Sequence, residues 1–158
     1  MALQTTVNTY APIGFPGQMV AFSQFVYTPF NYLSDGTVKA GAFAFLKTAP
    51  ADAQNVRGIA KGAGDTLIGF VERVLTPKMD ASNPDVYVEG AELTIAEQGD
   101  FYISATGAAT VGQKVLVATA TGAIAFGSSA GEGQIDTGFV VKTAAAASGD
   151  IIIISKHQ

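Results

Sequence analysis

The sequence has no cysteine, no tryptophan, one histidine and few charged side chains. Without cysteine there is no disulfide framework and no thiolate chemistry, a pattern that fits a reducing compartment. The lone histidine, His157, has no His/Cys set to join as a metal ligand, so no metal site and no cofactor are expected. Charged residues make up 14% of the 158, yet the mean hydropathy of +0.31 argues against disorder. A soluble monomer ordinarily carries more surface charge, so abundant Ala, Gly and Thr suggest a surface covered by neighbours. The net charge is −4 and no Lys/Arg cluster occurs, which excludes phosphate-backbone binding and hence a nucleic-acid partner. The longest late uncharged run, Val115 to Gly131, is rich in Thr, Ser and Gly. It reads as a hairpin and is too short to span a membrane. No positive charge precedes Lys39, so a secretory leader is not expected and synthesis is expected in a cytoplasm.

What is present is unevenly placed. The first charged side chain is Asp35, and the segment before it holds seven of the fifteen aromatics: Tyr10, Phe15, Phe22, Phe25, Tyr27, Phe30 and Tyr32. Pro12, Pro16 and Pro29 remove backbone donors and fix φ, which disfavours a helix and favours an extended arm. So apolar a segment must dock on its own domain or on another molecule. Residues 1–20 are expected to form the extended arm. Residues 21–158 are expected to form the domain, with Ala21–Leu33 as the anchor between them. An N-terminal strand or two completing the domain's own sheet is the alternative for much of this segment.

After Asp35 the periodicity is that of strands. Thr37–Lys47 is apolar on both parities, as in a strand covered on both faces. Ala49–Gly64 reads as a loop, and Thr66–Thr76 as a strand stopped by Pro77. Asn83-Pro84 reads as a turn before Val86–Val88, and Gly99-Asp100 as a turn into Phe101–Ser104. Lys114–Thr119 and Ala123–Phe126 flank Thr121-Gly122, a hairpin turn. Ile135–Lys142 and Ile151–Ile154 close the chain. Only Ala49–Asn55 and Thr143–Ala147 could hold a helical turn. The expectation is a mainly β fold: a small β-barrel or sandwich of about eight short strands with an extended N-terminal arm.

Catalytic motifs are sparse, and no catalytic residue is assigned. Glu89, Glu92, Glu97 and Asp100 lie at turns and strand edges, where solvated surface charge is the ordinary reading. Gly58, Gly62 and Gly64 are followed by no Gly-Lys-Ser/Thr, so they form no phosphate loop. Gly127-Ser128-Ser129-Ala130-Gly131 matches G-x-S-x-G, with Asp136 or Asp150 and then His157 following in hydrolase order. A nucleophile elbow needs a helix after its serine, and Gly131-Glu132-Gly133 is a poor helix start. A flexible loop tip is the better reading, with a small serine hydrolase using Ser129 as a remote alternative.

The opening MALQTTVNTYAPIGFPGQMV resembles the arm that begins structural cement, or capsid decoration, proteins of tailed bacteriophages. Gly69–Arg73, then Gly99–Tyr102 leading into Thr106–Lys114, resemble that family's central region. Thr137–Ala146 is similar to its closing segment, so the likeness runs in order along nearly the whole chain. The resemblance implies a non-enzymatic virion protein on the outer capsid surface that bridges neighbouring major capsid proteins. It also implies self-association, as a homotrimer in preference to a dimer. Leu3, Val7, Tyr10, Pro12, Ile13, Phe15, Pro16, Phe22 and Phe25 are the expected partner contacts. A β-domain adhesin or tail-fibre module recognising a host surface is the alternative from a different class.

Overall fold

The computed structural model describes residues 14–21, 23–51, 57–74 and 79–157, and every regular element among them is a strand. The first five are β1 (Val26–Tyr27), β2 (Asn31–Ser34), β3 (Phe43–Thr48), β4 (Arg57–Lys61) and β5 (Leu67–Val71). Next come β6 (Met79–Asp80), β7 (Asn83–Tyr87), β8 (Glu92–Leu93) and the ten-residue β9 (Ile95–Ser104). The last four are β10 (Lys114–Ala118), β11 (Ile124–Gly127), β12 (Gln134–Val141) and β13 (Ile151–Lys156).

Eleven of these strands share one sheet in the order β11-β10-β12-β13-β9-β5-β3-β4-β2-β8, with β1 beside β9; β6 and β7 form a separate hairpin. All pairings are antiparallel except β2 with β4. The terminal strands β11 and β8 are not paired with each other, so the sheet does not close into a barrel. It curls instead. Phe139 on β12 meets Phe43 on β3 at 5.6 Å and Phe70 on β5 at 6.1 Å, which brings distant strands face to face.

Two cores result, one on each side of the central strands. Phe43, Phe45, Phe70, Phe101, Ile103, Val115, Val117, Phe139, Ile152 and Ile154 fill the first. Tyr32, Val38, Ala44, Ala60, Val71, Tyr87, Leu93 and Ile95 fill the second. The two-residue alternation of a strand sends Phe43 and Phe45 one way and Ala44 the other, and all three are fully buried. The apolar residues on both parities of Thr37–Lys47 thus have their expected cause.

Mainly β is the observed class, but details depart from the sequence expectation. Among the described residues there are thirteen strands rather than about eight, several of them only two residues long. The supposed loop Ala49–Gly64 contains β4, whose Gly58 lies beneath the ring of Tyr32, its parallel partner in β2. Gly99-Asp100 makes no turn and lies inside β9. Asn83-Pro84 opens β7, with the turn one step earlier at Ala81-Ser82. Thr143–Ala147 is not helical, since Ala145 bridges to Ala109; residues 52–55 of the other candidate helical turn lie outside the described residues.

The hairpin turn expected at Thr121-Gly122 is present, with the Gly122 N–H donating to the Ala118 carbonyl at 2.8 Å. It docks against the Gly62 carbonyl so closely that a Cβ on Gly122 would collide with it. Gly133 has the same left-handed backbone, φ +70° against +71°, but has nothing within 4 Å. Gly133→Ala should therefore cost only the backbone strain, about 1–2 kcal/mol. Gly122→Ala should cost measurably more in urea denaturation, and equal losses would refute a tight junction between the two halves of the sheet.

Candidate partner-binding surface

The N-terminal segment lies along β9. Pro16-Gly17 makes a turn in which Gln18 N–H donates to the Phe15 carbonyl at 2.9 Å. The chain then runs antiparallel to β9: Gly17 N–H donates to Tyr102, Tyr102 N–H to Gln18, and Val20 N–H to Asp100, at 2.8–2.9 Å. β1 continues the same direction opposite Gln98 and Ala96, and Thr28 N–H donates to the Ile95 carbonyl at 3.0 Å. Gly99 makes this overlay possible. Phe25 occupies the space where a side chain on residue 99 would stand, and its ring reaches Phe101 at 5.3 Å.

Side chains pin this strap at three places. Arg73 donates from Nε to the Pro16 carbonyl at 2.8 Å and pairs with Asp85 at 2.6 Å. Ser23 Oγ donates to Asp100 at 2.7 Å, and the His157 ring meets the other oxygen of that carboxylate at 2.9 Å. Tyr27 O–H donates to Glu72 at 3.0 Å. Partial burial pushes the Asp100 carboxyl upward, but bonds from Ser155, Ser23 and His157 outweigh it and hold the group below the usual range. Glu72 moves the other way, because burial raises it more than the Tyr27 bond lowers it. Burial, then the bond and charge of Glu72, push the Tyr27 hydroxyl up to about 12.

Among the described residues, the strap carries most of the large apolar side chains left exposed. Seven large apolar side chains are exposed among the described residues, and Phe15, Met19, Val26, Tyr27 and Phe30 are five of them; Ile59 and Val111 lie elsewhere. Of the residues singled out in the sequence, Phe15 is 61% exposed, Pro16 is partly buried under the Arg73 bond, and Phe25 packs inward on Phe101. Leu3, Val7, Tyr10, Pro12, Ile13 and Phe22 lie outside the described residues. Met19 and Glu72 were not singled out. Met19 carries no signal beyond its neighbours, and Glu72 is one acid among thirteen Asp and Glu residues.

The G-x-S-x-G match starts at the last residue of β11, and Ser129 sits in a bend followed by a turn at residues 132–133 in place of a helix. His157 contacts Asp100, which belongs to the strap's fastening. Among the described residues no group of three or more His, Asp or Glu is placed to hold a metal ion.

A family model described as structural cement protein (E217 gp24/Pam3 gp6) matches residues 3–156. Among solved structures, a chain from "The capsid of Myoviridae Phage XM1" superposes with a TM-score of 0.65 at 15% identity. The alignment covers 100% of this chain and 99% of that one, and it is a likeness of fold. No curated protein matches the sequence.

Because Asp100 titrates lower in the folded chain than in the unfolded one, its stabilising contribution is complete above the unfolded value of about 3.9. That contribution is lost as pH falls through the folded value. Asp35 has the same sign, since bonds from Thr37 and Lys47 outweigh the upward push of its burial. So has Asp136, through its bond from Lys114. Glu72 has the opposite sign, since its ionisation opposes folding. Stability measured in urea should therefore fall more steeply below about pH 4 in the wild type than in Asp100→Asn. Parallel acid limbs in the two proteins would contradict the assignment of Asp100 as a charged pin.

Proposed function

The chain belongs to the structural cement protein family, and from that premise we propose that it binds the outer surface of a phage capsid and bridges neighbouring major capsid proteins. Family membership gives it a structural role at the capsid. The finer reading rests on one observation: among the described residues, five of the seven exposed large apolar side chains lie on the strap, while the buried side chains of both cores come from the rest of the domain.

A charge-free arm, residues 1–20 in the sequence reading, suits this task. It can add a strand to an exposed sheet edge, gaining main-chain hydrogen bonds while alternate side chains enter pockets. Leu3, Val7, Tyr10, Pro12, Ile13, Phe15, Pro16 and Phe22 are the proposed contacts. Phe25 would hold the base of the arm on the domain at Phe101. Self-association as a homotrimer, with a dimer as the alternative, would let several modest arm contacts act together. The net charge of −4 suits a face turned away from packaged DNA. In this reading the protein is made in the host cytoplasm, takes no cofactor and performs no catalysis.

Among the described residues the backbone bonds from the strap to β9 begin at Gly17, and an arm shortened before residue 14 leaves all of them in place. Deleting residues 2–13 should leave thermal unfolding close to that of the full chain. Affinity for expanded capsids lacking the protein should fall by about a hundredfold or more as avidity is lost. A deletion variant that binds those capsids normally would refute the arm as the binding element.

A further inference from the structure

Glu72 follows β5, and its N–H donates to the Thr94 carbonyl at 2.9 Å, so its backbone is fixed. Its side chain is half-buried beside the strap, with Tyr27 O–H on one carboxylate oxygen at 3.0 Å. The same hydroxyl lies 3.2 Å from the Met19 sulfur, and the Phe25 ring stacks on Tyr27 with centroids 6.3 Å apart. Met19 and Tyr27 remain 37% and 42% exposed. The result is a single acid set in an apolar rim that faces outward.

For stability alone this acid is a poor choice. The ion pairs among the described residues are Lys47–Asp35, Arg73–Asp85 and Lys114–Asp136, with His157 hydrogen-bonded to Asp100, and none of these contacts includes Glu72. Its neighbour Arg73 is turned to Pro16 and Asp85. A glutamine would still accept the Tyr27 bond, a weaker one, without the cost of drawing a charge out of water. A charge kept at such a place, within an open apolar patch, fits a complementary charge supplied by a partner.

We propose that Glu72, beside Tyr27 and Met19, accepts an arginine that a capsid protein presents among apolar residues. The inference rests on the capsid-binding reading above. Arginine fits better than lysine, because its planar guanidinium can bridge the carboxylate while stacking on the Tyr27 ring. Closure of the apolar rim would exclude water and strengthen the pair. A second copy of this chain is the less suitable source. Its two arginines are Arg57 and Arg73, and the latter is already engaged.

The test is titration of expanded capsids lacking the protein with wild type, Glu72→Gln, Glu72→Arg and the exposed-loop control Glu132→Gln, at low and high salt. Tm and oligomer mass are measured alongside. Glu72→Gln should bind about tenfold or more weakly, lose part of the salt dependence, and keep a Tm at or above that of wild type. Glu72→Arg should bind more weakly still, and Glu132→Gln should match wild type. Wild-type affinity and salt dependence in Glu72→Gln would overturn the proposal. So would a change confined to oligomer mass, which would give Glu72 to a second copy. Wild-type protein that fails to bind capsids at all would instead overturn the capsid reading, and the named occupant with it.

Discussion

Phe43, Phe70, Phe101 and Phe139 come from four strands and meet in one place, with Phe70 and Phe101 centroids 4.6 Å apart and Phe43 and Phe70 at 5.4 Å. A sheet of this length could lie open, with both faces in water. Burying a ring of this size is worth roughly 1.5–3 kcal/mol, and the tilted and edge-on contacts add to it. Phe139 contributes only if β12 folds back over β3 and β5, so the cluster requires the curl. The docked Gly122 turn depends on that folding back, because it sets the β10–β11 hairpin against Gly62 beyond β4.

The strap depends on the same cluster by a thinner link. Phe25 extends the aromatic contacts outward through Phe101, while Ser23, Tyr27 and the Pro16 carbonyl are held by polar bonds to Asp100, Glu72 and Arg73. Polar pins fix direction without burying the segment's remaining apolar side chains. A base held this way presents Phe15, Met19 and Tyr27 outward in a set order. Such presentation suits a protein whose proposed task is to fasten two larger surfaces, because preorganisation lowers the entropic cost of docking.

The sequence made the class of fold legible because strand alternation and turn residues are local signals. Thr37–Lys47 and the Thr121-Gly122 hairpin could be read directly. Glycine misled at two places for a shared reason. Gly58 and Gly99 look like punctuation, yet each is a gap in a strand that an aromatic ring fills, Tyr32 in one case and Phe25 in the other. The partner ring lies 26 residues away for Gly58 and 74 for Gly99, so no local pattern reveals the purpose. The curl was hidden for the same cause, since β12 and β3 touch only in three dimensions. For the candidate surface, the absence of charge before Asp35 marked the strap, but Glu72 became visible only once Tyr27 was seen to donate to it.

Cryo-electron microscopy of expanded capsids decorated with this protein tests the central claim most directly. The account predicts density for residues 1–20 lying on capsid protein, with Phe15, Met19 and Tyr27 facing the shell. A domain seated through another face, with residues 14–30 turned to solvent, would contradict it.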